Sequence, residues 1–146
     1  MKKILLADDD SDDAEIFQEA LQYACPSALF MRFEDGKQLL QHLETNLSSL
    51  PDLIFLDLNM PEMNGWQCLA ALKTNHKLKS IPVIIYTTSS NPRDKEIAID
   101  LNAHGLIVKP SNQKALERIL SIVVCKLGSH DLEHAINDAY LLSKEN

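Results

Sequence analysis

Four short apolar runs set the rhythm of the chain: Ile4 to Ala7, Leu53 to Leu56, Ile81 to Tyr86 and Leu106 to Val108. They are rich in branched residues and do not alternate with polar ones, which is the pattern of strands covered on both faces. A fifth run, Leu29 to Phe33, is weaker. Between the runs the apolar spacing turns helical, with Ala14, Phe17, Leu21 and Ala24 on one stretch and Leu39, Leu40 and Leu43 on another.

Breaks fall where the period changes. Cys25-Pro26-Ser27 closes the first helical stretch, Ser49-Leu50-Pro51-Asp52 precedes the third strand, and Ser80-Ile81-Pro82 opens the fourth. Five strand-helix units in the first 127 residues predict an α/β fold, a doubly wound five-stranded parallel sheet with helices on both faces. Beyond Leu127, Gly128 reads as a helix stop and Asp131 to Ser143 as a further helix. The expected organisation is therefore one domain over residues 1–127 and a short helical extension over 128–146, without an effector domain. Leu132, Ala135, Ile136, Ala139 and Leu142 share one face of that last helix. The face suits packing on the domain itself, or else on a partner.

The formal charge of −7 opposes the phosphate contacts that nucleic-acid binding requires, so no nucleic-acid partner is expected. Six of the 21 acids crowd between Asp8 and Glu15. No apolar stretch has membrane-spanning length, and the apolar start of the chain meets aspartates too early for a signal peptide. A cytoplasmic protein without membrane contact is expected. Cys25, Cys68 and Cys125 lack zinc spacing, fall in segments read as helical, and should be reduced and partly buried.

In a doubly wound sheet, ligands gather at the carboxyl ends of the strands. Those ends carry Asp8 and Asp9, then Asp57, then Thr87 and Thr88, then Lys109. Three carboxylates in one pocket repel each other and call for a hard divalent cation, with Mg²⁺ the natural choice. A hydroxyl, an ammonium and a metal are what the three oxygens of a phosphoryl group need. Asp57 would then be a nucleophile that forms an acyl phosphate, a reactive anhydride suited to brief storage of a signal.

The segments ILLADDDSDD, PDLIFLDLNMPEMNG, PVIIYTTSS and GLIVKP, in this order and spacing, resemble the receiver domains of two-component response regulators. The likeness runs from Lys2 to about Leu127 and implies a flavodoxin-like fold. It implies Asp57 as phosphoacceptor, and Asp8, Asp9, Asp57 and the backbone carbonyl of Asn59 as Mg²⁺ ligands. Thr87 would bind a phosphoryl oxygen and move on activation, and Lys109 would pair with the acyl phosphate. The donor would be a phosphohistidine on a sensor histidine kinase or a histidine phosphotransfer protein. Such a protein is a signalling phosphoacceptor that catalyses only its own phosphorylation and dephosphorylation. DLNMPEMNG and YTTSSNPRD further resemble the stand-alone subgroup that works with phytochrome-type kinases.

One departure stands out. Three residues before Lys109 the family places an aromatic ring that swings inward on activation, and this chain has Leu106. Either another element reports the change, or the protein is a phosphorelay intermediate or phosphate sink that needs little conformational output. The family's habit of dimerising through its fourth and fifth helices carries over as an expected homodimer, which Leu106 weakens. Otherwise the output would be a phosphorylation-dependent contact with a protein target.

Other readings fare worse. Asp8, Asp10, Asp12 and Glu19 match EF-hand positions, but the loop's required glycine is Asp13 and a strand precedes it. Asp10, Asp12 and Asp13 read instead as solvated acids at a helix start. His130 and His134 lie one turn apart with no third ligand, and no glycine-rich phosphate loop is present. Ser111 and Asn112 read as a helix cap, and Gly65 as a position whose turn other residues would strain.

Overall fold

The computed structural model describes residues 1–144; residues 145 and 146 of the predicted extension lie outside the described residues. The strands are β1 (Lys3–Ala7), β2 (Leu29–Phe33), β3 (Leu53–Leu56), β4 (Val83–Thr87) and β5 (Gly105–Val108). The helices are α1 (Ser11–Ala24), α2 (Gly36–Thr45), α3 (Gly65–Thr74), α4 (Pro92–Asp100), α5 (Gln113–Val124) and α6 (Leu132–Ser143). All strand pairs are parallel and the sheet order is β2-β1-β3-β4-β5. The order reverses between β1 and β3, so a crevice opens beyond the carboxyl ends of those two strands.

Strand side chains alternate between two apolar clusters. Ile4, Leu6, Phe55, Ile84 and Ile107 face α1 and α5, whereas Leu5, Ala7, Ile54, Ile85 and Leu106 face the side of α2 and α3. Both sets are buried, which explains why β1, β3, β4 and β5 read as unbroken apolar runs. Phe17 of α1 anchors the first cluster, with its ring against Phe30, Phe55 and Tyr86. The edge strand β2 leaves Leu29 and Met31 exposed, hence its weaker signal. β4 starts two residues later than the apolar run, at Val83, because Ile81 and Pro82 form the approach to the strand, where the Pro82 carbonyl accepts from Ile54 N–H.

Side-chain caps fix the helix starts: Asp10 on α1, Asp35 on α2, Asn64 with Gln67 as a capping box on α3, Asn91 on α4 and Asn112 on α5. Asn112 thus takes the predicted capping role. α5 ends at Val124, before the predicted stop, and Gly128 takes its left-handed φ of 81° in the turn that follows. Cys68 is buried in α3 and Cys25 half-buried at the end of α1. Cys125 corrects the expectation of partial burial, because it caps α5 on the solvent side and is exposed.

α6 folds back on its own domain, against α5 and along β5. Leu132, Ile136 and Ala139 join the cluster under α1 and α5, while Tyr140 joins the opposite one beside Leu106. The backbone at Gly105 comes so close to Ile136 that a β-carbon there would collide with it. Ser143 Oγ accepts from Val108 N–H at 3.1 Å and donates to the Tyr140 carbonyl at 2.7 Å, so it closes the end of β5. Ile136 is 1% exposed. Ile136→Ala is expected to lower stability by about 2–4 kcal/mol in urea unfolding, the cost of a buried cavity, whereas a loosely attached helix would show almost none.

Candidate functional site

Four of the five strands, β1, β3, β4 and β5, deliver parts of the site at the points where they leave the sheet. After β1, Asp8 N–H donates to the Phe33 carbonyl at 2.9 Å, and the Asp8 carbonyl accepts from Arg32 Nε at 3.0 Å. After β3, Asp57 N–H donates to the Ala7 carbonyl at 2.9 Å. Thr87 ends β4, and its carbonyl accepts from Lys109 N–H at 2.7 Å just beyond β5. Backbone ladders therefore fix the spacing of Asp8, Asp57, Thr87 and Lys109 before any side-chain contact is made.

Beyond the strand ends the side chains of Asp8, Asp9, Asp57 and Lys109 come together. Asp8, Asp9 and Asp57 bring carboxylate oxygens within 4.8 Å of one another. Asp8 and Asp57 are buried and Asp9 is exposed at the mouth. Lys109 Nζ lies 2.8 Å from Asp8 Oδ2, 2.8 Å from Asp13 Oδ2 and 3.8 Å from Asp57 Oδ2. Thr87 is buried, and its hydroxyl accepts from Ser89 N–H at 3.1 Å. Asn59 sits exposed two residues past Asp57, its backbone close enough to the Asp57 carboxylate to favour the charged form. Thr88 is exposed.

Charge dominates this pocket. Burial pushes the Asp57 carboxyl up to about 6, with Lys109 opposing the rise and Asp8 adding to it. Burial also works against the Lys109 ammonium, but the hydrogen bonds it donates to Asp13 and Asp8 outweigh this and hold its pKa above the usual lysine value. Four acids thus share one cation, and the excess is all hard oxygen. Such a donor set fits Mg²⁺ or Mn²⁺, which bind through one or two carboxylates and keep water in the remaining positions.

Asp13 and Gly65 take roles that differ from those their sequence positions predict. Asp13, read as a solvated helix-start acid, holds Lys109, because the first turn of α1 aims it back over the strand ends. Only the orientation of α1 reveals this, and no spacing rule would have shown it. Gly65 is needed for a different reason than its turn. A β-carbon there would lie 2.8 Å from Leu58 Cα and closer still to the Asp57 carbonyl, so glycine lets α3 start against the backbone of Asp57. The left-handed backbone of that loop falls on Glu62, with φ 65°. Asp94 accepts from Ser89 Oγ at 2.6 Å, a contact that no motif in the sequence marks.

Comparison with known proteins agrees with this geometry. A family model for the response regulator receiver domain matches residues 4–121. The response regulator Rcp1 of Synechocystis is 34% identical over 123 residues, 82% of this chain and 84% of that protein. The crystal structure of the phosphorylated cyanobacterial phytochrome response regulator RcpA superposes with a TM-score of 0.78 at 34% identity, covering 86% of this chain and 93% of that one. The Mn²⁺-bound form of Rcp1 gives 0.74 at 32% identity, covering 88% and 96%. The chain belongs to the receiver domains of two-component response regulators, which act in phosphorelay signalling. Among the described residues no helix is long and apolar enough to cross a membrane.

The raised Asp57 pKa fixes a pH dependence. Its folded value, about 6, exceeds the unfolded 3.8, so this group favours the fold below pH 3.8 and loses that contribution as pH rises through about 6. In metal-free buffer, Asp57→Asn should match the parent chain near pH 4 and exceed it by about 1–3 kcal/mol above pH 6. Urea unfolding across that range measures the difference.

Proposed function

We propose that this receiver domain takes a phosphoryl group from a phosphohistidine onto Asp57 and signals through a protein contact that depends on that modification. The observation that carries the reading is the buried, raised-pKa Asp57 set 3.8 Å from Lys109 and within reach of Asp8 and Asp9. A carboxylate at the switch point of the sheet, open toward solvent through Asp9, is placed to attack an incoming phosphorus atom.

In the proposed reaction an Asp57 carboxylate oxygen forms the new O–P bond as the P–N bond to the donor imidazole breaks, and the imidazole leaves with the electron pair and takes up a proton. Asp8, Asp9, Asp57 and the Asn59 backbone carbonyl would hold Mg²⁺, which when bound supplies positive charge to the phosphoryl oxygens and brings the repelling carboxylates together. Lys109 already faces Asp57 and balances charge as the acyl phosphate forms. The Thr87 hydroxyl turns toward a phosphoryl oxygen and donates to it. Asp13 positions Lys109 through the 2.8 Å pair without touching the phosphoryl group.

The donor class is a sensor histidine kinase or a histidine phosphotransfer protein, and the likeness to RcpA favours a phytochrome-linked kinase. Residues 1–127 would form the receiver and the remainder a helical extension carrying part of its surface. Acetyl phosphate with Mg²⁺ is expected to add one phosphoryl group, read by intact mass. Asp57→Asn and the Mg²⁺-free sample should gain none, and Thr87→Ala should slow the gain roughly 10- to 100-fold, as losing one donor to developing charge does elsewhere. Equal labelling of Asp57→Asn would overturn the assignment.

A further inference from the structure

We propose that α6 is the element that reports the state of the site, coupled to it by a relay running from Thr87 through Ser89 and Asp94 to Lys95. This rests on the proposed movement of Thr87 toward the phosphoryl group. The relay is continuous in the structure. Ser89 N–H donates to the Thr87 hydroxyl at 3.1 Å, and Ser89 Oγ donates to Asp94 Oδ2 at 2.6 Å in the first turn of α4. The next residue, Lys95, donates from Nζ to Asn137 Oδ1 of α6 at 2.6 Å and lies 4.3 Å from the centre of the Tyr140 ring.

Three features suit this joint to movement. Ala98 is the one residue of α4 that is fully buried, against five in α5, so α4 is the less anchored helix. A cavity of about 230 Å³ separates α4 from α6, with Lys95, His104, Leu106, Glu133, Asn137 and Tyr140 on its walls. His104 Nδ1 is buried there without a hydrogen-bond partner among the described residues. Space and an unmet polar atom mark a joint that is bridged but not packed shut.

Leu106 then has an explanation. The ring missing from position 106 is supplied by Tyr140 of α6, which packs in the same cluster and shares the cavity wall with that leucine. When Thr87 shifts, Ser89 either follows its hydroxyl or is released from it. Both outcomes move Asp94, the first turn of α4 and Lys95, and so disturb the grip of Lys95 on Asn137 and Tyr140. α6 loosens along β5 and changes the surface offered to a partner.

Hydrogen exchange, followed by mass spectrometry in peptides of α6 and of α1, tests the relay. Beryllofluoride with Mg²⁺ should raise exchange in α6 roughly fivefold and leave α1 unchanged. Lys95→Ala should show the raised exchange at rest and gain less than about twofold more from beryllofluoride. Ser89→Ala at rest tests the same route without any phosphoryl mimic and should also raise exchange in α6. Unchanged α6 exchange in both variants, or an equal rise in α1, overturns the proposal. The acetyl phosphate experiment separates the two readings: an adduct on Asp57 with a silent α6 removes the relay alone. Absence of any adduct removes the phosphoacceptor reading, and the two resting variants still decide the relay.

Discussion

Lys109 stands 2.8 Å from both Asp8 and Asp13 and 3.8 Å from Asp57, and much of the molecule serves to keep that ammonium where it is. Its backbone is bonded to the end of β4, one of its partners comes from β1 and another from α1. The Tyr86 ring lies beneath it at 5.5 Å. Without this cation, Asp8 and Asp57 would be like charges buried side by side, an arrangement that costs several kcal/mol unless one of them is protonated. One cation does not fully offset the loss of water around these carboxylates, and burial, with Asp8 adding to it, still holds the Asp57 pKa up to about 6. That burial of charge is a source of affinity for anything positive that enters and of reactivity toward a group that disperses the charge.

The sequence shows the fold well because a parallel sheet covered on both faces makes every core strand uniformly apolar. β1, β3, β4 and β5 are legible for that reason, and β2 is faint because it is an edge strand with two of its five residues, Leu29 and Met31, exposed, whereas the opposite edge, β5, is covered by α6. Asp8, Asp57, Thr87 and Lys109 are legible because a strand end is a position along the chain as well as in space. Asp13 is hidden because its role depends on how α1 rotates over the sheet. Gly65 is visible as a glycine but not as a contact, since its close neighbour is the backbone of Asp57, eight residues back in the chain. Tyr140 is hidden more deeply still, because its partner Leu106 lies on another element and nothing local links them.

α6 packs on the sheet and on α5. The apolar face predicted for it is used on its own sheet, with Ile136 against Gly105 and Ser143 closing Val108. A receiver sheet of this order leaves β5 at its margin, and here a helix lies along that margin. The face between α4 and α5 is therefore presented through α6, and a partner would meet residues such as Leu141, which is exposed.

The burial of Cys68 also divides the chemistry of the three thiols. Its side chain is fully enclosed and burial pushes its thiol up to about 12, so it is neither reachable nor nucleophilic near neutral pH. Cys125 is exposed and Cys25 half-buried, at the ends of α5 and α1, on the far side of the sheet from the carboxyl ends of the strands. Thiol-directed dyes or spin labels will therefore attach at these two natural positions and leave the acidic pocket untouched, so the native chain carries its own handles for following motion in solution.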